Sequence, residues 1–557
     1  MDNAGDIFLS RAGDTKPALF FENQWWSGNG LFAESACRAN YLKAYSGNDP
    51  VNVGLLMDNI PEHVFWIGAC ALAGATIAFL NSTRKGEDLA RDVSHSECGF
   101  LVVESRYLDR LPPRLVQQLG DRLLVVDTPQ TSEWSKQTTE FAIADASTTA
   151  NKAFCLIFTS GTSGAPKAAI YSHRRVLFNT RACVENMQLT STTVSYVAMP
   201  LFHSTGLLMG MLPSILSGGA VALRRRFSAS GFLDDVRKYG VTFFPYVGKP
   251  LAYILATPEQ ADDADNTLQL ACGSEASDVD IANFSRRFGC NVIDNYGSSE
   301  GCITILRTSD TPPGSLGLAT SADIAVLNPG TGKGCPRAIF DESGHLCNGN
   351  DAIGELVNLK GGALFEGYWR DAQAEADRIR DGVYWSGDLA YRDESGYFYF
   401  AGRSSDWLRV DGENIATTPV EQMLCRYPAI ACAAAYGVPD PLVGDRLMVA
   451  VQVKDGGKLD VEDLEHFLVT HADFCSKWMP SFLRVSQELP MTHTHKILKR
   501  TLKFEAWHSI DPVFWKPTRK ETYRLMTPQD IAGLEQIFVE RKRDHLLPSR
   551  NRSHHPP

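Results

Sequence analysis

Residues 158–167 read "FTSGTSGAPK", a stretch that gathers hydroxyls, glycines and one lysine. A loop of this composition between a strand and a helix can turn successive backbone N–H groups toward phosphate oxygens. The hydroxyls of Thr159, Ser160, Thr162 and Ser163 add donors, and Lys167 adds a point charge. The spacing is not that of an ordinary P-loop. Gly161 and Gly164 are three apart, no glycine precedes Lys167, and Ala168 stands where a magnesium-binding hydroxyl belongs. A Ser/Gly surface turn is the plainer alternative for such a stretch taken alone.

Three further stretches concentrate polar chemistry. "DNYGSSEG" (294–301) sets an acceptor, an aromatic ring, hydroxyls and a carboxylate at the end of an apolar run. "WSGDLAYRDESGYFYFAGRSSDWLRVDGENI" (385–415) places Asp388 fifteen residues before Arg403. "PMTHTHKILKR" (490–500) puts Lys496 in a polar loop.

The elements that must hold these stretches are legible in the hydrophobic pattern. "VNVGLLM", "GFLVVE", "RLLVVD", "FCLIFTS", "VSYVAMP", "GAVALRR", "VTFFPYV" and "CNVIDNYG" are short apolar runs, expected as buried strands. Amphipathic pieces lie between them, such as "SGFLDDVRKYG", a helix stopped by its glycine. Strand–helix alternation implies an α/β fold with mainly parallel sheets flanked by helices. Residues 310–370, richer in Gly and Pro, predict a more irregular β region containing the strand "GELVNLKG". A second, smaller α+β unit is expected from Arg403, with strands in "AYGVPD", "LMVAVQVKDG" and "FLRVSQEL" around a helix at 460–472. The expected division is 1–402, 403–515 and a basic extension at 516–557. That extension carries nine Lys/Arg against five Asp/Glu. In it, Thr527, Pro528 and Asp530 predict a capped helix with Ile531, Leu534, Ile537 and Phe538 on one face. The plain expectation is a helix docked on the body; the alternative is peripheral contact with an anionic membrane.

Composition narrows the partners. A net charge of −11 over 557 residues argues against nucleic acid. Thirteen cysteines without a C-x-x-C pair fit reduced thiols in a cytoplasmic protein. Thirteen histidines include no H-E-x-x-H, and neither His493 with His495 nor His554 with His555 has a further ligand nearby in sequence. The N-terminus lacks a signal pattern, and "SHHPP" lacks a peroxisomal tripeptide. The uncharged run at 64–80 is short for a membrane span and is expected as a buried helix running into a buried strand.

Taken together, the four polar stretches resemble the adenylate-forming superfamily of acyl-CoA synthetases, luciferases and peptide-synthetase adenylation domains. The resemblance covers residues 20 to 512 with the motifs in order. "RRRFSASGFLDDVRKYGVTFFPYVGKPLAYIL" and "DWLRVDGENIATTPVE" are similar to the fatty-acid-transport/very-long-chain acyl-CoA synthetase branch and to actinobacterial ligases of steroid side-chain degradation.

The resemblance implies ATP, Mg²⁺ and coenzyme A as cofactors, and two half-reactions. A carboxylate attacks the α-phosphorus of ATP; a thiol then displaces AMP. It implies no protein nucleophile and no obligate protein partner. By the same resemblance, Thr159, Ser160, Gly161, Thr162, Ser163, Gly164 and Lys167 hold the β- and γ-phosphates. Glu300 is the magnesium ligand, and Ser299, where the family usually has Thr, bonds the α-phosphate. Gly273 and Ser274 line the adenine and acyl group, with Asp294 and Tyr296 on adenine and Asp388 and Arg403 on the ribose. Phe202, His203, Gly206 and Tyr246 are expected around the acid. Ser405 is expected to be the hinge of a mobile C-terminal domain, at a position where the family usually has Asp or Lys. Lys496 is expected to reach the carboxylate and α-phosphate in the closed form, with His495 replacing the family's usual glycine. Rival readings are adenylation for a carrier protein in trans, a luciferase-like oxygenation, and a membrane-associated fatty-acid uptake or binding protein.

Overall fold

The uncharged run at 64–80 divides into a helix, Pro61–Ala73, and a strand, Thr76–Phe79, both buried. The computed structural model describes residues 3–46, 51–128, 134, 137–139, 150–159, 166–298, 300–308, 310–341, 346–403, 408–410, 413–415, 417–442, 445–454, 457–470, 479–492, 497–518 and 521–548. Among these no helix is long and apolar enough to cross a membrane, and the twelve cysteines described are free thiols. The chain forms two units, Met1–Cys302 with Gly361–Gly382, and Ile303–Lys360 with Val383–Pro557. The boundary expected at Arg403 falls inside the second.

Two sheets build the first unit. One runs through β1 (Pro17–Phe21), β2 (Gln24–Ser27), β9 (Val194–Val197), β10 (Ala220–Leu223), β11 (Phe243–Val247), β12 (Leu270–Ser274) and β13 (Asn291–Asp294), in the order β13-β12-β11-β9-β10-β1-β2. Only the β1–β2 pair is antiparallel. The other takes β3 (Asn52–Leu56), β4 (Thr76–Phe79), β5 (Cys98–Val103), β6 (Leu123–Val125), β7 (Ala153–Thr159) and β8 (Lys167–Ser172), in the order β6-β5-β3-β4-β7-β8. It is parallel up to the antiparallel pair β7–β8. Helices cover these strands because the strands are apolar on both faces: all of Ala220–Leu223 and Phe243–Val247 is buried. The helix Phe232–Tyr239 packs Phe232 and Val236 inward and ends at Gly240.

In the second unit β14 (Ile324–Leu327), β15 (Gly354–Asn358), β16 (Val383–Arg392) and β17 (Phe398–Arg403) pair antiparallel in sequence order. A further sheet takes β18 (Ile430–Pro439), β19 (Asp445–Val453), β20 (Phe482–Ser486), β21 (Val513–Trp515) and β22 (Arg524–Leu525), also in order. Period-two alternation splits β18 between two cores. Ala433 and Ala435 face the helices Thr417–Cys425 and Val461–Thr470; Cys432, Ala434 and Tyr436 face Trp507 and the terminal helix. That terminal helix, Pro528–Glu540, starts in a capping box: Thr527 accepts from the Asp530 N–H at 3.2 Å, and Asp530 accepts from the Thr527 N–H at 2.9 Å. Leu534 and Phe538 are buried in the unit, so this part of the apolar face is not offered to a membrane.

Candidate active site

β7 and β8 bring the first motif into position. Phe158 pairs with Ala168 and Thr159 with Lys167, and the Thr159 hydroxyl donates to the Lys167 carbonyl at 3.4 Å. The loop therefore closes a hairpin; it does not lead from a strand into a helix as expected. The helix His173–Asn186 begins only after β8. Ser160, Gly161, Thr162, Ser163 and Gly164 lie outside the described residues, as do Ser299, Ser405 and Lys496.

A segment distant in sequence runs beside β8. The Ile170 N–H donates to the Gly367 carbonyl at 3.1 Å and the Trp369 N–H to the Ala168 carbonyl at 2.8 Å. This places Tyr368 beside the two charges the motifs supply. Its hydroxyl donates to Glu300 Oε1 at 2.7 Å, and the Lys167 ammonium lies 5.5 Å from its ring centroid. Burial, then the Glu300 charge, push the phenol pKa up, so Tyr368 remains a donor. Glu300 is itself 7% exposed.

Arg175 fixes the main chain at this point. It donates to the carbonyls of Glu300 and Ile170, and its guanidinium lies 4.2 Å from the Tyr171 ring centroid. Glu366 accepts from the Ser172 N–H at 2.7 Å and from its hydroxyl at 2.6 Å, tying the Tyr368 segment to the end of β8. Tyr368, Glu366 and Arg175 are not among the expected residues. The signal for the first two is "FEGYWR", a charged and aromatic cluster inside a stretch that pattern marks only as irregular β.

The ends of β11, β12 and β13 form the neighbouring wall. Asp294 accepts on Oδ2 from the Tyr246 hydroxyl at 2.9 Å and from the Ala276 N–H at 3.0 Å. Asp294, expected on adenine, thus braces three strand ends through that oxygen. Tyr246, expected to line the acid site, is fully buried and serves this brace. Gly273 is required by close approach: a Cβ there would lie 2.2 Å from the Tyr246 carbonyl. Ser274 ends β12, and its carbonyl accepts from the Gly248 N–H at 3.0 Å. Tyr296 comes next as a partly exposed ring.

His203 sits in the turn after β9, its N–H donating to the Pro200 carbonyl at 3.0 Å. Its Nδ1 accepts from the Thr205 N–H at 3.4 Å, which assigns the proton of the neutral ring to Nε2. A π-helix, Thr205–Met211, comes after it. Gly206 in it is a packing residue, because a Cβ would meet the Pro200 carbonyl at 2.4 Å. Phe202 is partly buried.

In the second unit Asp388 lies in β16 opposite Arg403 of β17, with its N–H donating to the Ser386 hydroxyl at 3.0 Å. The strands Leu408–Val410 and Glu413–Ile415 pair as a hairpin.

Among the described residues no cluster of three His, Cys, Asp or Glu could hold a metal unaided. Glu300 engages only Oε1 there, which leaves Oε2 for a hard cation whose other ligands are phosphate and water oxygens. The donor set fits magnesium brought with a nucleotide. Burial pushes the neighbouring Cys302 thiol up to about 12, so it supplies no thiolate nucleophile.

Residues 9–369 match the family described as AMP-binding enzyme, and residues 419–496 match the AMP-binding enzyme C-terminal domain. The chain is 40% identical over 543 residues to the steroid-22-oyl-CoA synthetase of Rhodococcus jostii, covering 97% of this chain and 98% of that one. It is 44% identical over 497 residues to the medium/long-chain-fatty-acid–CoA ligase FadD17 of Mycobacterium tuberculosis, covering 89% and 95%. The crystal structure of the anthranilate CoA ligase AuaEII with anthranoyl-AMP superposes with a TM-score of 0.79 at 20% identity, over 90% of this chain and 97% of that one.

Proposed function

The chain belongs to the AMP-binding enzyme family, and on that premise we propose that it ligates a bulky apolar carboxylic acid to coenzyme A through an acyl-adenylate. The observation that carries this reading is the Lys167–Tyr368–Glu300 group. A cation lies over the ring of one tyrosine and a metal-competent carboxylate accepts from its hydroxyl. Such an arrangement suits a triphosphate whose pyrophosphate must leave.

Lys167 and the loop 159–164 orient the β- and γ-phosphates. Glu300 holds magnesium, which when bound neutralises phosphate charge and polarises the reacting phosphoryl group. Ser299 bonds the α-phosphate. Tyr296 offers a ring face to adenine, while Gly273 and Ser274 shape the wall that Asp294 braces. Asp388 accepts from the ribose hydroxyls, with Arg403 beside it in register. His203 faces the acid. Residues from 403 onward move as the smaller domain about Ser405, delivering Lys496 to the carboxylate and α-phosphate for the first half-reaction only. The names of the relatives support a long acyl chain or a steroid side chain as the acid.

The test is product analysis. AMP and pyrophosphate should form only with ATP, magnesium and acid together, and Glu300→Ala should abolish most of that activity. Formation of ADP and phosphate would overturn adenylation; turnover with a carrier-protein thiol but none with CoA would reassign the acceptor. Each buried methylene contributes about 0.8 kcal/mol, so kcat/KM should climb steeply from acetate to long-chain or steroid acids. Equal values across that series would remove the apolar acid from the proposal.

A further inference from the structure

The turn that carries His203 is held from the other sheet. β9 ends at Val197, and Met199 and Leu201 beyond it are buried. Asn59, between β3 and the helix Pro61–Ala73, reaches this main chain with both ends of its amide. Its Nδ2 donates to the Met199 carbonyl and its Oδ1 accepts from the Leu201 N–H, each at 2.9 Å. Pro200, between them, brings no N–H of its own, and its carbonyl takes the His203 N–H. Gly206 packs on the same main chain: a Cβ there would lie 2.4 Å from the Pro200 carbonyl and 2.6 Å from that of Met199.

Asn59 is itself 3% exposed and firmly mounted. The neighbouring Asp58 N–H donates to Glu104 Oε2 at 3.0 Å, and the Asp58 carbonyl accepts from His63 Nδ1 at 3.1 Å and from the Ile60 N–H at 2.9 Å. Pro61 then opens the next helix. A buried amide of this kind locates a turn more sharply than apolar packing does, because a displaced turn leaves buried main-chain groups unpaired. Its place in the topology gives the contact a direction. β3 pairs with β4, and β4 with β7, which ends at Thr159 where the phosphate loop begins. β9 belongs to the other sheet. The amide is therefore a strut from the sheet that carries the nucleotide loop to the turn that carries His203.

We infer that Asn59 is a positioning residue for adenylation, setting His203, and through it the acid, at its distance from the α-phosphorus. The inference rests on the adenylation reading and on His203 facing the acid. Reacting atoms must stand about 3–3.5 Å apart, and a shift of about 1 Å can cost about a hundredfold in rate.

The test is a double-mutant cycle read in acid-dependent pyrophosphate exchange. Asn59→Ala should lower kcat about a hundredfold and leave the ATP KM within about twofold of wild type, with a cooperative melt showing that the fold is kept. His203→Ala should also lower kcat, and the double variant should be no slower than the slower single, since both changes break one device. Asn59→Asp, which keeps the acceptor for the Leu201 N–H and loses the donor to Met199, takes the place of Asn59→Ala in the cycle if the alanine variant does not melt cooperatively. Losses that multiply would make Asn59 independent of His203 and overturn the inference. So would near-wild-type exchange in the Asn59 variant, or a rise in ATP KM that accounts for the whole loss, which would make the amide only a weld between sheets. If wild type shows no acid-dependent exchange, the adenylation reading falls and this inference with it. If exchange is normal in His203→Ala, the acid role of His203 and this inference fall while adenylation stands.

Discussion

Tyr368 makes one chemical unit of two charges that lie far apart in sequence. Removing its hydroxyl while keeping its ring separates two effects, the hold on Glu300 and the contact with Lys167. Tyr368→Phe should raise the magnesium requirement of acid-dependent pyrophosphate exchange about tenfold, the scale of one hydrogen bond to a charged group. The ATP KM at saturating magnesium should stay near wild type. Calorimetric titration of magnesium–ATP gives a readout independent of turnover, and an unchanged magnesium dependence would deny Tyr368 this role. Lys496→Ala should cut the exchange at least about a hundredfold, roughly 2.7 kcal/mol of transition-state stabilisation, yet largely preserve CoA transfer from acyl-adenylate supplied ready-made. The reverse pattern would remove Lys496 from adenylation. Lys167 and Glu300 are legible in the sequence because each sits in a contiguous motif. Tyr368 is not, because its link to Glu300 is a hydrogen bond across 68 residues that no local pattern records. Asp294 is legible as a carboxylate at a strand end. Its bond to Tyr246 spans 48 residues and could only be found in the fold.

At the level of elements, pattern predicts most strands because a buried parallel strand is a continuous apolar run, as in β5 and β11. β12 escapes it: Ala271, Cys272, Gly273 and Ser274 are small, and at Gly273 the neighbouring Tyr246 leaves no room for a side chain. The loop at 160–165 runs into a strand and not the expected helix, because glycine and serine report a turn but carry no signal for the element beyond it. The terminal helix is legible through its cap and its apolar spacing. Its docking makes a stability prediction: Phe538 is fully buried beside Trp507, so Phe538→Ala should cost the second unit about 3–5 kcal/mol in denaturant unfolding. A loss below about 1 kcal/mol would mean that the helix contributes little to that core. Ser405→Pro, which fixes φ at the expected hinge, should spare adenylation more than thioester formation. Equal loss in both half-reactions would locate the hinge elsewhere.

For the whole molecule, buried imidazoles set the acid limit. Burial pushes His63 down to about 4, and burial with Lys152 does the same to His173. Both folded values lie below the ordinary 6.5, so the unfolded chain binds the extra protons. The stability these rings supply is complete above pH 6.5 and is lost as pH falls toward 4, on the order of 3 kcal/mol for each. Asp92 has the opposite sign, because burial outweighs Arg84 and raises it to about 6. Single variants therefore isolate the effect. Neither ring nitrogen of His173 has a hydrogen-bond partner among the described residues, and the ring packs 5.0 Å from Phe154. His173→Phe should keep stability at pH 7 and visibly flatten the decline between pH 6.5 and 4.5 in urea titrations. An unchanged acid limb would show that His173 titrates normally.

The segment Gly361–Gly382 belongs to the first unit, although the chain on either side of it belongs to the second. On a ribosome this ordering becomes a matter of time. Glu366 is made 194 residues after its partner Ser172, a delay of roughly 10–40 s at ordinary synthesis rates of about 5–20 residues per second. For that interval β8 has emerged without its neighbour, and Glu300 then waits for Tyr368. The first unit cannot be finished as a nascent domain before Ile303–Lys360, the leading part of the second, has been translated. A chain stalled just after residue 302 should accordingly be more open to protease around β8 than one stalled beyond residue 382.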